Sequence, residues 1–353
     1  MNIVVALDSF KGCMTSSEAN EAVRKELENR HDDVKCQVFS VSDGGEGFLQ
    51  AMQPDDIFTC CVHDAMMRPT QAQWGVKNNF AIIEVAQAIG LDKIEPDLRN
   101  PLLATSYGVG EMMMDALSKG FRNFIVGLGG SAVSDCGLGL MKCLKTMSVA
   151  RDNGSMVNID DLSWLRELTV ILASDVDNPL LGPHGAAAVF APQKGASADM
   201  IRKLERRAST FSRMAAQHMG YDMSSKHGAG AAGGLGYAFM QFMNASVESG
   251  GELVIRMSGM DDTIKKADLV ITGEGSADAQ TLMGKLPSVV LRHAQAAHVP
   301  VILLTGCVQN EEALVATGFS KVININKDYA VTDDMLLKET ALARLARAAA
   351  ELV

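Results

Sequence analysis

The sequence predicts an α/β protein of two domains: a doubly wound unit built by both chain ends, and a second α/β unit inserted into it. Three observations carry this expectation. Residues 2–8, NIVVALD, are a near-continuous apolar run, the mark of a strand buried on both faces of a parallel sheet. Strand-like and helix-like segments alternate over the first 52 residues and resume after residue 262. Between them lie short strand candidates that read as an antiparallel meander. Domain limits are expected near 60 and 262, giving residues 1–60 plus 262–353 for one domain and 61–261 for the other.

Each element has a local reason. After the first strand, residues 15–30 read as a helix: Thr15 and Glu18 have capping-box spacing, and Ala19, Ala22, Val23 and Leu27 form its apolar stripe. Residues 34–43 read as a second strand and GGEGFLQAM, 44–52, as the start of another helix. Residues 56–64, 70–78 and 80–87 are the meander. A helix over 104–120 carries three consecutive methionines, Met112, Met113 and Met114, expected as core filler. FIV and VILA are buried strands, residues 149–164 a polar surface excursion, and 197–220 a long amphipathic helix. The last third reads as strand 267–275, helix 286–299, strand 300–306, helix 309–318, strand 321–326 and helix 334–353.

Composition narrows the function classes. The net charge is −10 with no basic run, which disfavours nucleic-acid partners. No apolar stretch reaches membrane-spanning length and no secretory signal pattern opens the chain. The seven cysteines include no C-x-x-C pair and read as free thiols in a reducing cytoplasm. Small molecules are the expected partners, with a homo-oligomer left open.

In open α/β sheets ligands bind at the carboxyl ends of the strands. Five predicted strands end alike, in a carboxylate, glycines and a helix start: at Asp8, at Asp43 with Glu46, at Ser131 with Asp135, at Asp175, and at Glu274 with Asp278. Converging carboxylates repel unless a cation joins them, and Mg2+, held by few carboxylates plus phosphate oxygens, suits that role. Lys11, Lys194 and Lys285 stand in or beside glycine- or proline-marked loops, where an ammonium can neutralise phosphate. The glycines of GLGGSAVSDCGLG, 127–139, serve either close packing or backbone contact with an anion. There is no P-loop. GAGAAG, 228–233, matches a dinucleotide fingerprint but follows a polar stretch rather than a strand.

DSFKG, DGGEG, RNPLLATSYGVGE, GLGGSA..D, DVDNPLLGPHGAAAVFAPQKGA, GAGAAGGLG and LVITGEG..D.QTL.GK occur in this order along nearly the whole chain. Together they resemble the bacterial-type glycerate kinase family, which lacks a P-loop. The resemblance implies phosphorylation of D-glycerate by ATP with Mg2+, a flavodoxin-like domain from both chain ends, an inserted domain resembling the restriction-endonuclease fold, and an active site in the cleft between them. Carried onto this chain, it implies catalytic roles for Asp175, Asp135, Lys11, Asp8 and Lys194. Gly129, Gly130, Ser131, Gly230, Gly233, Gly234, Glu274 and Lys285 would bind nucleotide or phosphate. Ser9, Arg68, Arg99 and Asp278 would bind substrate, and Asp43, Glu46 and Glu274 the metal. Asp175 and Asp135 are the alternatives for the base.

The chain departs from the family pattern in three places, one of them a shorter stretch after GFLQAM. Ser276 stands where an arginine is usual, and Val133, Ser134 and Cys136 alter the glycine loop. Ser276 favours a rival reading, a sensor that binds glycerate without transferring phosphate. A nicotinamide-dependent oxidoreductase rests on GAGAAG alone, and a DNA-binding regulator is opposed by the charge.

Overall fold

The computed structural model describes residues 1–146, 162–278, 281, 285–329 and 337–352. Eleven strands occur among them: β1 (Asn2–Leu7), β2 (Lys35–Val38), β3 (Asp56–His63), β4 (Pro69–Lys77), β5 (Phe80–Glu84), β6 (Asn123–Gly127), β7 (Thr169–Ala173), β8 (Ser246–Glu248), β9 (Leu269–Ala277), β10 (Val301–Val308) and β11 (Lys321–Asn324). They form two sheets in a mixed α/β architecture. The chain divides into two compact units: Met1–Asp43, Gln50–Gln53 and Gly251–Val353 in one, and Gly44–Leu49 with Pro54–Gly250 in the other. No helix among the described residues is long and apolar enough to cross a membrane.

The first unit holds a five-stranded sheet in the order β2-β1-β9-β10-β11. Every pairing is parallel, with Ile3 opposite Leu269 and Val301 opposite Val270. β1 is buried over Ile3 to Leu7, as its unbroken apolar run requires. Ile3, Val5 and Leu7 pack with Val23 and Leu27 of helix Ser16–Arg30 and Leu345 of helix Lys338–Ala349. The capping box closes as expected: the Thr15 hydroxyl accepts the Glu18 amide, and Glu18 accepts the Thr15 amide at 2.9 Å.

Differences from the sequence reading have local causes. The second strand pairs only over Lys35–Val38, not through residue 43. Beyond it the backbone turns to the start of helix Ser16–Arg30: Asn20 Nδ2 donates to the Phe39 carbonyl and the Val41 amide donates to Ser16 Oγ. The helix expected from residue 44 is confined to Phe48–Ala51, because Gly44 and Gly47 are left-handed at φ 101° and 80°. The terminal helix runs over Lys338–Ala349 rather than 334–353. Of the surface excursion expected at 149–164, only Leu162, Ser163 and Trp164 are described, and Trp164 is buried.

One contact in the first unit is titratable. His293 sits between two carboxylates, with Nδ1 2.9 Å from Asp261 and Nε2 2.9 Å from Glu252, while Arg292 and Lys265 pair with the same two acids. Burial disfavours the charged ring, but the hydrogen bonds to Asp261 and Glu252 outweigh it and hold the His293 pKa above 6.5. Its stabilising contribution is therefore full below pH 6.5 and is lost as pH rises through the folded-state value. Urea midpoints measured between pH 5.5 and 8.5 should show a falling component that His293→Asn removes.

The second unit holds a six-stranded sheet, β3-β4-β5-β6-β7-β8. β3, β4 and β5 form the antiparallel meander, and β5 to β8 run parallel. Its core includes Trp74, Phe124, Tyr237 and Phe239 together with Met112, Met113 and Met114, which fill space as expected.

Candidate functional site

The strand order of the first unit reverses direction between β1 and β9, and at such a switch point the carboxyl ends of the strands open a crevice. A cavity of about 660 Å³ lies there. Asp8, Ser9, Lys11, Asp43, Glu274 and Lys285 line it, so six of the predicted residues converge. Asp8 is fixed by the end of β1: its amide donates to the Gly273 carbonyl at 2.8 Å, and the Ser9 amide donates to its Oδ1 at 2.7 Å. Ser16 and Asn20 support that strand end. Ser16 Oγ donates to the Leu7 carbonyl at 2.6 Å and Asn20 Oδ1 accepts the Leu7 amide at 2.7 Å. Sequence reasoning saw these two residues only as helix positions.

The electrostatics of this cavity are unbalanced. Burial, then the nearby Asp43 charge, pushes the Asp8 carboxyl up to about 7, and Glu274 adds to the effect while Lys11 opposes it. Glu274 is buried, accepts the Thr281 hydroxyl at 2.7 Å, and is likewise raised by burial. Lys285 Nζ stands 3.7 Å from both Glu274 and Asp278. Ser276 is exposed on the lining.

In the second unit the predicted residues behave differently. Asp135 is buried and accepts four hydrogen bonds: from the Ser106 amide and hydroxyl and the Gly139 amide at 2.9 Å each, and from the Gly137 amide at 3.1 Å. These bonds tie helix Leu138–Thr146 to the start of helix Tyr107–Ser118. Asp135 thus fixes the loop that follows β6, with Oδ2 taking three of the four donors and Oδ1 one. Lys194 is also buried; its Nζ donates to the Val133 carbonyl at 2.5 Å and Ser131 Oγ at 3.3 Å. Burial pushes its pKa down to about 7, against the pull of Asp135. Asp175 is exposed just beyond β7, and Glu46 is exposed in the segment Gly44–Leu49.

Several of the predicted glycines lie close to other backbone. A side chain at Gly129 would strike the Gly45 backbone, and one at Gly127 would strike Phe48 and the Gly44 carbonyl. The Gly129 amide donates to the Gly44 carbonyl at 2.9 Å. Gly130 is left-handed, and its carbonyl accepts the Leu91 amide. Gly233 lies against the backbone of Val133 and Ser134. The Gly230 amide donates to the Asn178 carbonyl and the Gly234 amide to the Gly230 carbonyl. The amides of Gly129, Gly230 and Gly234 are thus donated to backbone carbonyls.

Of the two arginines, Arg68 pairs with Asp64 at 2.6 Å and approaches Glu95 at 3.6 Å. The Arg99 guanidinium donates only to the Ile94 and Leu91 carbonyls among the described residues. One residue was missed: Glu84, buried at the end of β5, accepts the Gly47 and Leu49 amides and so holds the segment that follows Asp43. Its only signal is a charge closing the apolar run FAII.

Comparison with known proteins decides the family, since the glycerate kinase family profile matches residues 3–353. The chain belongs to the glycerate kinase family. Glycerate kinase from Bacillus subtilis (strain 168) is 36% identical over 333 residues, covering 89% of this chain and 87% of the relative. Glycerate 2-kinase from Escherichia coli (strain K12) is 34% identical over 333 residues, with 89% and 87% covered. The crystal structure of a chain assigned as glycerate kinase 2 from Salmonella typhimurium LT2 matches with a TM-score of 0.78 at 31% identity, covering 100% of this chain and 97% of that one. The family match thus spans both sheets.

Proposed function

We propose that this protein is a cytoplasmic glycerate kinase that transfers a phosphoryl group from ATP to a hydroxyl of D-glycerate. The observation that carries the reading is the convergence of Asp8, Asp43, Glu274, Lys11 and Lys285 on one cavity at a sheet switch point, in a chain of this family. The five-stranded unit is read as flavodoxin-like and the other as the inserted domain. All seven cysteines are free, which agrees with a reducing compartment.

No group of three acidic, histidine or cysteine side chains among the described residues is arranged to hold a metal alone. Mg2+ does not require one, since one or two carboxylates plus phosphate oxygens suffice. Asp8 and Asp43 fit that description: the Asp43 charge disfavours ionisation of Asp8, and a shared cation would remove the conflict. Bound there, Mg2+ would neutralise charge on the phosphate oxygens. Glu46 is kept as a further ligand. Lys11, exposed and free of ion pairs among the described residues, neutralises charge on the transferring group, with Lys285 beside it. Asp175 is left as the base once Asp135 is committed to its loop. Arg99, whose charge meets only carbonyls among the described residues, is preferred over Arg68 for the glycerate carboxylate. Lys194, through Ser131 and Val133, holds the loop after β6.

A coupled assay for ADP release should show glycerate-dependent turnover. Lys11→Met, with unchanged circular dichroism, should lower kcat by about a hundredfold or more. Folded wild-type protein that binds glycerate and releases no ADP would establish the sensor reading that Ser276 favours. The Escherichia coli relative is named for the 2-position. Phosphorus NMR of the product should accordingly show 2-phosphoglycerate.

A further inference from the structure

The edges of the two sheets are unequal. β2 and β11 span four residues each and β8 three, short edges that discourage pairing with another chain. β3 spans eight, carries neither lysine nor proline, and pairs with β4 without a bulge from Asp56 to His63. The ladder fixes which of its groups face outward. His63 stands opposite Pro69, which has no amide to give, while the next residue, Asp64, donates its amide to the Arg68 carbonyl at 2.8 Å. Hydrogen-bonded and open pairs alternate along an antiparallel ladder, so Ile57, Thr59, Cys61 and His63 turn their amides and carbonyls away from β4. At His63 these groups are already covered: the amide donates to Glu111 at 2.7 Å, and the carbonyl lies against Gly108 of helix Tyr107–Ser118. Ile57, Thr59 and Cys61 remain, all exposed, with no partner for their outward backbone groups among the described residues.

We propose that this edge is an interface between two copies of the chain, paired antiparallel about a two-fold axis at Thr59. Each outward amide then donates across the axis: Thr59 to its own counterpart, Ile57 to Cys61 and Cys61 to Ile57 of the second copy. Sliding the pairing one way calls on the covered groups of His63. Sliding it the other way calls on Asp55, whose amide is committed to the Val76 carbonyl at 2.7 Å. On the face that packs against helix Tyr107–Ser118, the half-buried Phe58 comes opposite Cys60, and each covers the other further. That helix supplies matching charge. Lys119 lies over the Phe58 ring at 5.6 Å. Asp115 lies by Cys60, whose thiol is pushed up to about 11 by burial and then by the Asp115 charge. With Phe58 facing Cys60 across a strand spacing of about 4.8 Å, Lys119 of each copy meets Asp115 of the other. The two already pair within a chain at 2.5 Å, so the dimer alternates charges along the junction. The contact is isologous and closes at two chains, because the remaining edges are short. It is independent of the kinase reading.

Light scattering on the full-length protein at micromolar concentration should give twice the 37.7 kDa mass of the chain. Thr59→Lys sets two ammonium groups against each other at the axis, and should give the mass of a single chain with unchanged circular dichroism. Ile57→Cys tests the register. Under mild oxidation its thiol meets the native, exposed Cys61 of the second copy, so a covalent dimer should appear on a non-reducing gel. That dimer should be absent from the wild type and from Ile57→Cys combined with Cys61→Ser. Wild-type protein of single-chain mass overturns the proposal. So does a dimer that survives Thr59→Lys, or one that forms no disulfide with Ile57→Cys. If Thr59→Lys does not fold, the disulfide result decides.

Discussion

Asp135→Asn will lower the stability of the protein by about 3 kcal/mol, the usual result of breaking a buried, hydrogen-bonded charge. One oxygen of Asp135 accepts three donors, from the Ser106 amide, the Ser106 hydroxyl and the Gly139 amide, and the other accepts the Gly137 amide. An amide in its place sets an NH2 against donors in either orientation. Urea denaturation measures the effect directly. A variant of wild-type stability with abolished turnover would return Asp135 to the list of candidate bases. The contrast with Asp175→Asn is diagnostic, since Asp175 is exposed and its replacement should leave the urea midpoint within experimental scatter while reducing turnover.

Asp8→Asn will have the opposite pair of effects: lost turnover and a more stable protein in the absence of metal and nucleotide. The Asp8 pKa is raised from 3.8 to about 7 by burial, with Asp43 and Glu274 adding to it. The folded state holds that proton more tightly than the unfolded one. The associated stabilisation is full below pH 3.8 and disappears as pH rises to about 7, above which an ionised carboxylate sits in an unfavourable place. At about 1.4 kcal/mol per pH unit, the asparagine variant should be more stable by about 2 to 4 kcal/mol at pH 8. It should show no advantage near pH 4. Thermal melts at the two pH values test this; equal stability of the two proteins at pH 8 would mean that Asp8 bears no such burden. Added magnesium–ATP should stabilise the wild type more than the variant, because the variant lacks one of the two carboxylates proposed to hold the metal.

Most strands were legible because burial on both faces leaves an uninterrupted apolar run, as in NIVVALD, whose six strand residues pair as the run implies. The acid at the end of each run was equally visible. What the sequence could not display was the fate of each acid. Asp8 and Asp135 both follow a buried strand and both neighbour glycines or serines. One enters a cavity beside a second carboxylate, and the other meets Ser106, 29 positions earlier in the chain, at hydrogen-bond distance. Lys194 shows the same gap: its glycine- and proline-marked loop suggests an ammonium open to phosphate, yet the ammonium is buried against the Val133 carbonyl. Glycine was the least informative residue type, because close packing and anion contact demand the same absence of a side chain. The close approach of the Gly44 and Gly45 backbone to Gly127 and Gly129 became visible only in the fold.

The place of β1 in its sheet has a consequence for biosynthesis. β1 pairs with β9 along Ile3 to Leu7, yet β9 begins at Leu269. As the nascent chain leaves the ribosome at about 5–20 residues per second, one edge of this apolar strand waits for tens of seconds before its neighbour exists. During that interval it is open to pairing with another chain, the hazard of any unprotected edge. Recombinant yield should therefore depend on chaperone supply and growth temperature more steeply than the stability of the finished fold would suggest.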